Sequence, residues 1–199
     1  VGFNQIIIGC IFVFFRFTIS TIDILPDVIG YIFIFYGTRA LLSHFHNDRF
    51  MNVKRASLLL IILSALDLFI HHSAVLDGVI DNTQLSGRLF SYFYFVVTTV
   101  LLTFSIYHLC KGIEQEARRV GNTELASKST WTYQFFFSYQ IVTVIFNTTA
   151  LFVAKESLEL NLNGTTGTIL FVVLFFYMIS AAAQVFLLLN NAKKVFAHK

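Results

Sequence analysis

Long apolar blocks alternate with short polar ones along this chain. Six blocks approach the roughly 20 residues an α-helix needs to cross a hydrocarbon core of about 30 Å. They run from about 3 to 21, 26 to 42, 56 to 75, 89 to 109, 134 to 154 and 168 to 189. Runs such as Leu58-Leu59-Leu60-Ile61-Ile62-Leu63 do not alternate, which excludes the polar–apolar period of a transmembrane β-barrel. The pattern predicts an all-α integral membrane bundle of six transmembrane helices, a single domain over residues 1–199.

Charge sets the orientation. Arg39, Arg49, Lys54, Arg55, Lys111, Arg118, Arg119, Lys128, Lys193, Lys194 and Lys199 fall in one set of connections, and Arg88 and Lys155 in the other. Basic residues stay on the cytoplasmic side, so both termini are expected there. Asp23, Asp27, Asp77, Asp81, Glu156 and Glu159 then lie outside. Cytoplasmic loops are expected at Ser43 to Arg55 and Lys111 to Tyr133, with Lys111 to Val120 read as a solvated extension of the fourth helix. The first block has no basic leader or small-residue cleavage site, so it reads as a retained span.

Composition narrows the function classes. The chain is 56% hydrophobic and only 13% charged, against about a quarter charged in soluble domains, and so cannot cover a water-facing surface. Two cysteines, Cys10 and Cys110, are expected as free thiols. Basic residues are spread over three connections with no dense tract, so no nucleic-acid partner is expected and the lipid bilayer is the principal one. The absence of phosphate-loop, serine-elbow and His-Glu-x-x-His motifs argues against an enzyme. No catalytic residue, cofactor or metal is expected; Asp67-x-x-x-His71-His72 alone is too weak a signal for a metal site.

Between the first two blocks lies Ile22-Asp23-Ile24-Leu25-Pro26-Asp27-Val28-Ile29-Gly30-Tyr31. Pro26 suits the first turn of a helix, and Asp27 sets negative charge at its positive end. Gly30 and Gly37, two turns apart, offer a neighbouring helix a close approach. With Asn4-Gln5-Ile6-Ile7, this segment resembles uncharacterised small multi-pass membrane proteins of Gram-positive bacteria that carry Asp-Ile-Leu-Pro-Asp-x-x-Gly-Tyr. The likeness covers roughly the first 55 residues. It implies a bacterial cell-membrane location and no activity, with Asp23, Pro26, Asp27, Gly30 and Tyr31 as a structural motif.

A charge at the bilayer centre costs at least about 2.5–3.5 kcal/mol, so intramembrane polar residues are the candidate site. Arg16 in the first block, Asp67 and His71 in the third and Asn147 in the fifth fall in the outer half at similar depth. Two readings stand: an Arg16–Asp67 clamp with His71 beside it, or a ligand-binding layer of Arg16, Asp67, His71 and Asn147. Stripes at Gln140, Thr143, Asn147 and at Thr99, Thr103, Tyr107 read first as packing faces. Tyr31, Tyr92, Trp131 and Tyr133 read as interfacial anchors. The leading functional expectation is a small-molecule or ion carrier, or its substrate-binding membrane subunit. The alternative is a non-catalytic membrane protein that binds another membrane protein as a sensor, assembly or immunity-type partner through its cytoplasmic segments.

Overall fold

A computed structural model describes residues 2–15, 18–19, 22–23, 27–72, 85–153 and 165–197, with side chains described except at 18–19, 22–23, 70–72, 85–86, 150, 152–153 and 165–171. The described chain is helical apart from one two-strand pair. Its elements are α1 (Phe3–Phe14), β1 (Thr18–Ile19), β2 (Ile22–Asp23), α2 (Asp27–Phe45), α3 (Asp48–His72), α4 (Leu85–Arg119), α5 (Thr123–Val153) and α6 (Thr165–Phe196). Arg16, Pro26, Asp77, Asp81, Lys155, Glu156 and Glu159 lie outside the described residues. Of Asp23 and His71 only the backbone is described.

Each helix packs on the next in sequence, and α6 returns to α1, so the six form a closed ring. At the end that holds both termini the ring is packed solid. Phe3, Ile6, Leu41, Phe50, Val53, Ile113, Phe136, Val185 and Leu189 are at most 1% exposed there. Close approach explains part of this density. A Cβ on Gly30 would lie 2.8 Å from the carbonyl oxygen of Gly9, and one on Gly37 would lie 2.6 Å from that of Gly2. Gly2 at the N-cap of α1 and Gly9 within it, seven residues apart, thus meet two glycines seven apart on α2, and the antiparallel backbones approach closely. The Phe50 ring of α3 likewise packs against Gly112 of α4, where a Cβ would meet it at 2.6 Å.

Among the described residues three helices, Asp27–Phe45, Gly87–Arg119 and Val172–Phe196, are long and apolar enough to cross a membrane. In α3 the first turns carry Arg49, Lys54 and Arg55 and the far end carries Asp67; in α5 the apolar stretch is broken by Ser138, Gln140, Thr143, Asn147, Thr148 and Thr149. Even so, all six helices present large apolar side chains outward, among them Ile11, Ile32, Leu59, Phe93, Ile145 and Phe176, each at least 36% exposed.

The helix limits correct the expected ones. α1 stops at Phe14 instead of continuing to Thr21, and its 12 residues span about 18 Å. Beyond it, Thr18 pairs with Asp23 and Ile19 with Ile22, since β-branched residues favour extended backbone over another helical turn. The expected cytoplasmic loops are mostly helix. α2 passes into α3 through His46 and Asn47, with His46 in the left-handed region at φ 48° and Asn47 Oδ1 accepting from Arg49 N at 3.0 Å as an N-cap. α4 passes into α5 through Val120, Gly121 and Asn122. Gly121 takes φ 74°, Asn122 N donates to Ala117 O at 2.9 Å, and Asn122 Oδ1 caps α5 through Leu125 N at 2.9 Å. Hydropathy marks where lipid ends; these caps mark where the helices end. Asn122→Ala should cost about 1 kcal/mol, seen as a fall of roughly 2–4 °C in the thermal midpoint of the detergent-solubilised chain.

Candidate functional site

At the end opposite the termini the ring is hollow. A cavity of about 520 Å³ lies inside it, within the range of small-molecule sites. All six helices contribute. Val13, Phe14 and Phe15 come from α1 and its last turn, Asp27 and Tyr31 from α2, and Ser64 from α3. Tyr94, Phe95, Thr98, Thr99 and Leu102 come from α4, Tyr139, Gln140 and Thr143 from α5, and Phe175 and Met178 from α6. The spacing follows the helical period: 27 and 31 share one face of α2, 94, 98 and 102 one face of α4, and 139 and 143 one face of α5.

Local chemistry places each polar group. Asp27 stands in the first turn of α2, where the helix N-terminus favours a carboxylate, and is 8% exposed. Ser64, Thr99 and Gln140 are buried with it. Thr98 Oγ1 donates to Tyr94 O at 2.9 Å and Phe95 O at 3.0 Å, and Thr143 Oγ1 donates to Tyr139 O at 3.0 Å. Each hydroxyl therefore spends its proton on its own helix and keeps oxygen lone pairs for the cavity. The Tyr94 hydroxyl reaches across to Leu63 O at 3.2 Å, tying α4 to α3. Aromatic walls are fixed by neighbours: Phe14 lies edge-on to Phe186, Phe15 stacks on Phe186, and Tyr139 and Phe135 pack on Tyr177. Tyr177 also shares a 2.5 Å hydrogen bond with Ser138.

Among the described lining residues there is one carboxylate, one amide, several hydroxyls and a set of aromatic faces, with no Lys, Arg, His or Cys. Such a lining can hold a molecule by hydrogen bonds and aromatic contact. No group of three His, Cys, Asp or Glu is placed to hold a metal ion among the described residues.

Of the four residues singled out from the sequence, the side chains of Asp67 and Asn147 are described, and neither is among the residues lining the cavity. Asp67 is half-buried on α3, three residues beyond the lining Ser64, and Asn147 is half-buried on α5, four beyond Thr143. Asn147 Nδ2 donates to Thr143 O at 2.9 Å, within its own helix. Arg16 lies outside the described residues, as does the His71 side chain. Tyr31, expected as an interfacial anchor, is instead 5% exposed and lines the cavity, because the close α1–α2 crossing turns that face of α2 inward. Thr99, Gln140 and Thr143, read as packing stripes, also face it. The available signal was that the two stripes lie on consecutive antiparallel helices, where they must converge.

A second polar cluster closes the solid end. Glu116, 5% exposed, accepts from Asn47 Nδ2 at 2.7 Å and Arg119 Nη1 at 2.9 Å. Glu114, 8% exposed, accepts from Lys111 Nζ at 2.7 Å, Arg118 Nη2 at 2.9 Å and Thr130 Oγ1 at 3.2 Å. His108 faces Arg49 and Asn52 at 3.4 and 3.5 Å. Ser129 Oγ donates to Cys110 O at 2.5 Å. From Lys111 to Arg119 the extension is therefore helix, as a continuation of α4, but Glu114 and Glu116 are buried and tie it to α5 and to the α2–α3 turn. No protein-family model, curated protein or solved structure matches this chain.

Proposed function

We propose that this chain is a multi-pass protein of a bacterial cell membrane, with six spans and cytoplasmic termini, that binds a small molecule in the central cavity as a carrier or as its substrate-binding membrane subunit. The observation that carries the reading is the 520 Å³ chamber lined by all six helices at one end of an otherwise solid ring. A hollow of that size, walled by aromatic rings and carrying a few polar groups, has the character of a small-molecule site.

The outer surface supports the membrane placement. Exposed large apolar side chains on every helix are what lipid requires and water disfavours. Basic residues of the described chain gather at the solid end, from Arg39 to Lys194, with Arg88 at the hollow end; the positive-inside rule makes the solid end cytoplasmic and the chamber outward. The bacterial location rests on the resemblance of the Asp23 to Tyr31 segment. The interaction-protein reading gains less, because Ser43 to Arg55 and Lys111 to Tyr133 are folded largely into α2–α5, with Glu114 and Glu116 buried and hydrogen-bonded within the bundle.

Thermal unfolding of the detergent-purified chain against a panel of amines, amino acids, sugars and alcohols tests the reading. A ligand at a hundred times its Kd adds about 2.7 kcal/mol, which should raise the midpoint by roughly 5–10 °C. The same ligand should leave Gln140→Leu and Ser64→Val within about 1 °C of their unliganded midpoints. Equal stabilisation of wild type and both variants would place the ligand elsewhere and defeat the chamber reading.

A further inference from the structure

Three polar side chains in the chamber wall are buried and find no hydrogen-bond partner among the described residues. They are Ser64 of α3, Thr99 of α4 and Gln140 of α5, at 7%, 9% and 9% exposed. Buried polar groups are ordinarily paired, so three together in one wall call for a reason. Their polar neighbours are occupied: Thr98 and Thr143 bond within their own helices, Tyr94 reaches Leu63, and Asp27 has an interaction of its own. The unpaired Ser105 hydroxyl is a different case, sealed in the packed half, whereas these three line the chamber.

The three also stand at one height. The Asn47–Glu116 bond fixes the level of α3 against α4, and Ser64 and Thr99 each lie seventeen residues from it toward the hollow end. The Ser129–Cys110 bond fixes α4 against α5, and Thr99 and Gln140 each lie eleven residues from it in the same direction. Equal rise per residue carries all three to the same level, about 25 Å from the Asn47–Glu116 bond. They make a polar girdle across three consecutive helices. Aromatic rings border it: Phe95 stands about one turn beyond Thr99, Tyr139 adjoins Gln140, and Phe14 and Phe15 wall the chamber from the end of α1.

We propose that Ser64, Thr99 and Gln140 are the recognition plane of the chamber, and that its ligand is a flat, uncharged ring compound with a hydrogen-bond donor and acceptor side by side on one edge, as nucleobases and lactams have. This rests on the chamber being a ligand site and names the substrate class. A carboxamide such as that of Gln140 carries donor and acceptor in one plane and pairs with such an edge by two parallel hydrogen bonds. The two hydroxyls turn to either role. All three groups are neutral dipoles and Asp27 is already engaged, so an ionic ligand would be enclosed without a free opposite charge. The ring faces take the flat of the molecule by stacking. A sugar carries a hydroxyl on nearly every carbon, more than three side chains can satisfy, and fits less well.

Equilibrium dialysis of the detergent-purified full chain against hypoxanthine, adenine, uracil and nicotinamide tests this. The expected result is saturable binding of at least one of them, at least ten-fold weaker to Gln140→Met and at least three-fold weaker to Ser64→Ala and Thr99→Val. The N-methylated derivative of the bound compound, flat but with its donor blocked, should compete at least ten-fold less well. With no protein partner to lose, the three empty variants should melt within about 2 °C of the wild type or above it.

A fall of several degrees in the empty variants would make the girdle structural and overturn the proposal. Equal competition by the N-methylated compound overturns the edge assignment. Thr99 and Gln140 also border a groove on the outside of α4 and α5, together with Phe137. Binding weakened by Phe137→Leu and untouched by Ser64→Ala would put the ligand there and not in the chamber. If an amine, amino acid, sugar or alcohol stabilises the wild type while no flat ring compound binds, the substrate class fails and the chamber reading stands. If nothing binds, both fail.

Discussion

Gly30→Leu should abolish recovery of folded protein. At this position the Gly9 carbonyl oxygen, the Val13 side chain and the Phe12 Cβ all lie within 2.9 Å of where a Cβ would sit. The nearest of them includes backbone, which cannot rotate away. Overpacking a core usually costs about 1–3 kcal/mol because side chains adjust; here α1 must move off α2 as a unit. That separation would also pull Gly2 from Gly37 and uncover Tyr31 and Ile34, and the summed loss should match or exceed the few kcal/mol by which folded chains persist. Gly9→Leu should do the same. Gly121→Ala is the control: its φ of 74° disfavours a side chain by about 1–2 kcal/mol, but nothing lies within 4 Å of the new Cβ. Size-exclusion profiles of fluorescent fusions should show a monodisperse peak for Gly121→Ala and aggregate for the other two. A monodisperse Gly30→Leu peak with an unchanged melting midpoint would show that α1 and α2 are not held this close.

These glycines show what the sequence discloses and what it withholds. The positions of all six helices are legible in hydropathy because burial in lipid or in a core demands the same residues. Gly30 and Gly37 were visible as a close-approach face. Their counterparts Gly2 and Gly9 carried the same seven-residue spacing, but pairing requires knowing which helix lies alongside. Helix ends were misplaced for a related reason. Hydropathy falls at Leu42 and Leu109, while hydrogen bonding carries α2 to Phe45 and α4 to Arg119. Charge drew attention to Asp67 and His71. What decides membership of the chamber, however, is the direction in which a helix face points, and that face belongs to Ser64, Thr99, Gln140 and Thr143.

The division into a solid end and a hollow end also orders the energetics. Both halves carry ties between helices: Tyr92 to Thr148 and Tyr94 to Leu63 toward the hollow end, and close approach with polar ties at the solid end. The two close glycine pairs join α1 to α2, and Phe50 over Gly112 joins α3 to α4. The α4–α5 hairpin is sewn by Ser129 to Cys110 and Thr130 to Glu114. The α2–α3 turn is tied to α4 by the Asn47–Glu116 hydrogen bond at 2.7 Å, and the first turn of α3 by His108, which faces Arg49 and Asn52.

The Asn47–Glu116 tie sets up the second large effect. Glu116→Leu should lower stability by about 1–3 kcal/mol, because the buried Asn47 amide, 6% exposed, would lose its carboxylate acceptor. Arg119 should matter less. Its side chain is 64% exposed and can return to solvent, and an ion pair of that kind contributes about 0–1 kcal/mol. The expected order of melting midpoints is therefore wild type, then Arg119→Gln within roughly 2–3 °C, then Glu116→Leu lower by roughly 3–10 °C. Glu116→Gln separates geometry from charge. It keeps an oxygen for Asn47 and should recover most of the loss. Asn47→Ala removes both the bond to Glu116 and the cap on Arg49 N, so it should cost about 1 kcal/mol more than the bond alone. In a double-mutant cycle of Asn47→Ala with Glu116→Leu, the coupling isolates the shared bond and should be about 1–3 kcal/mol. A coupling near zero would mean that the α2–α3 turn is held by Phe50 and its apolar neighbours alone.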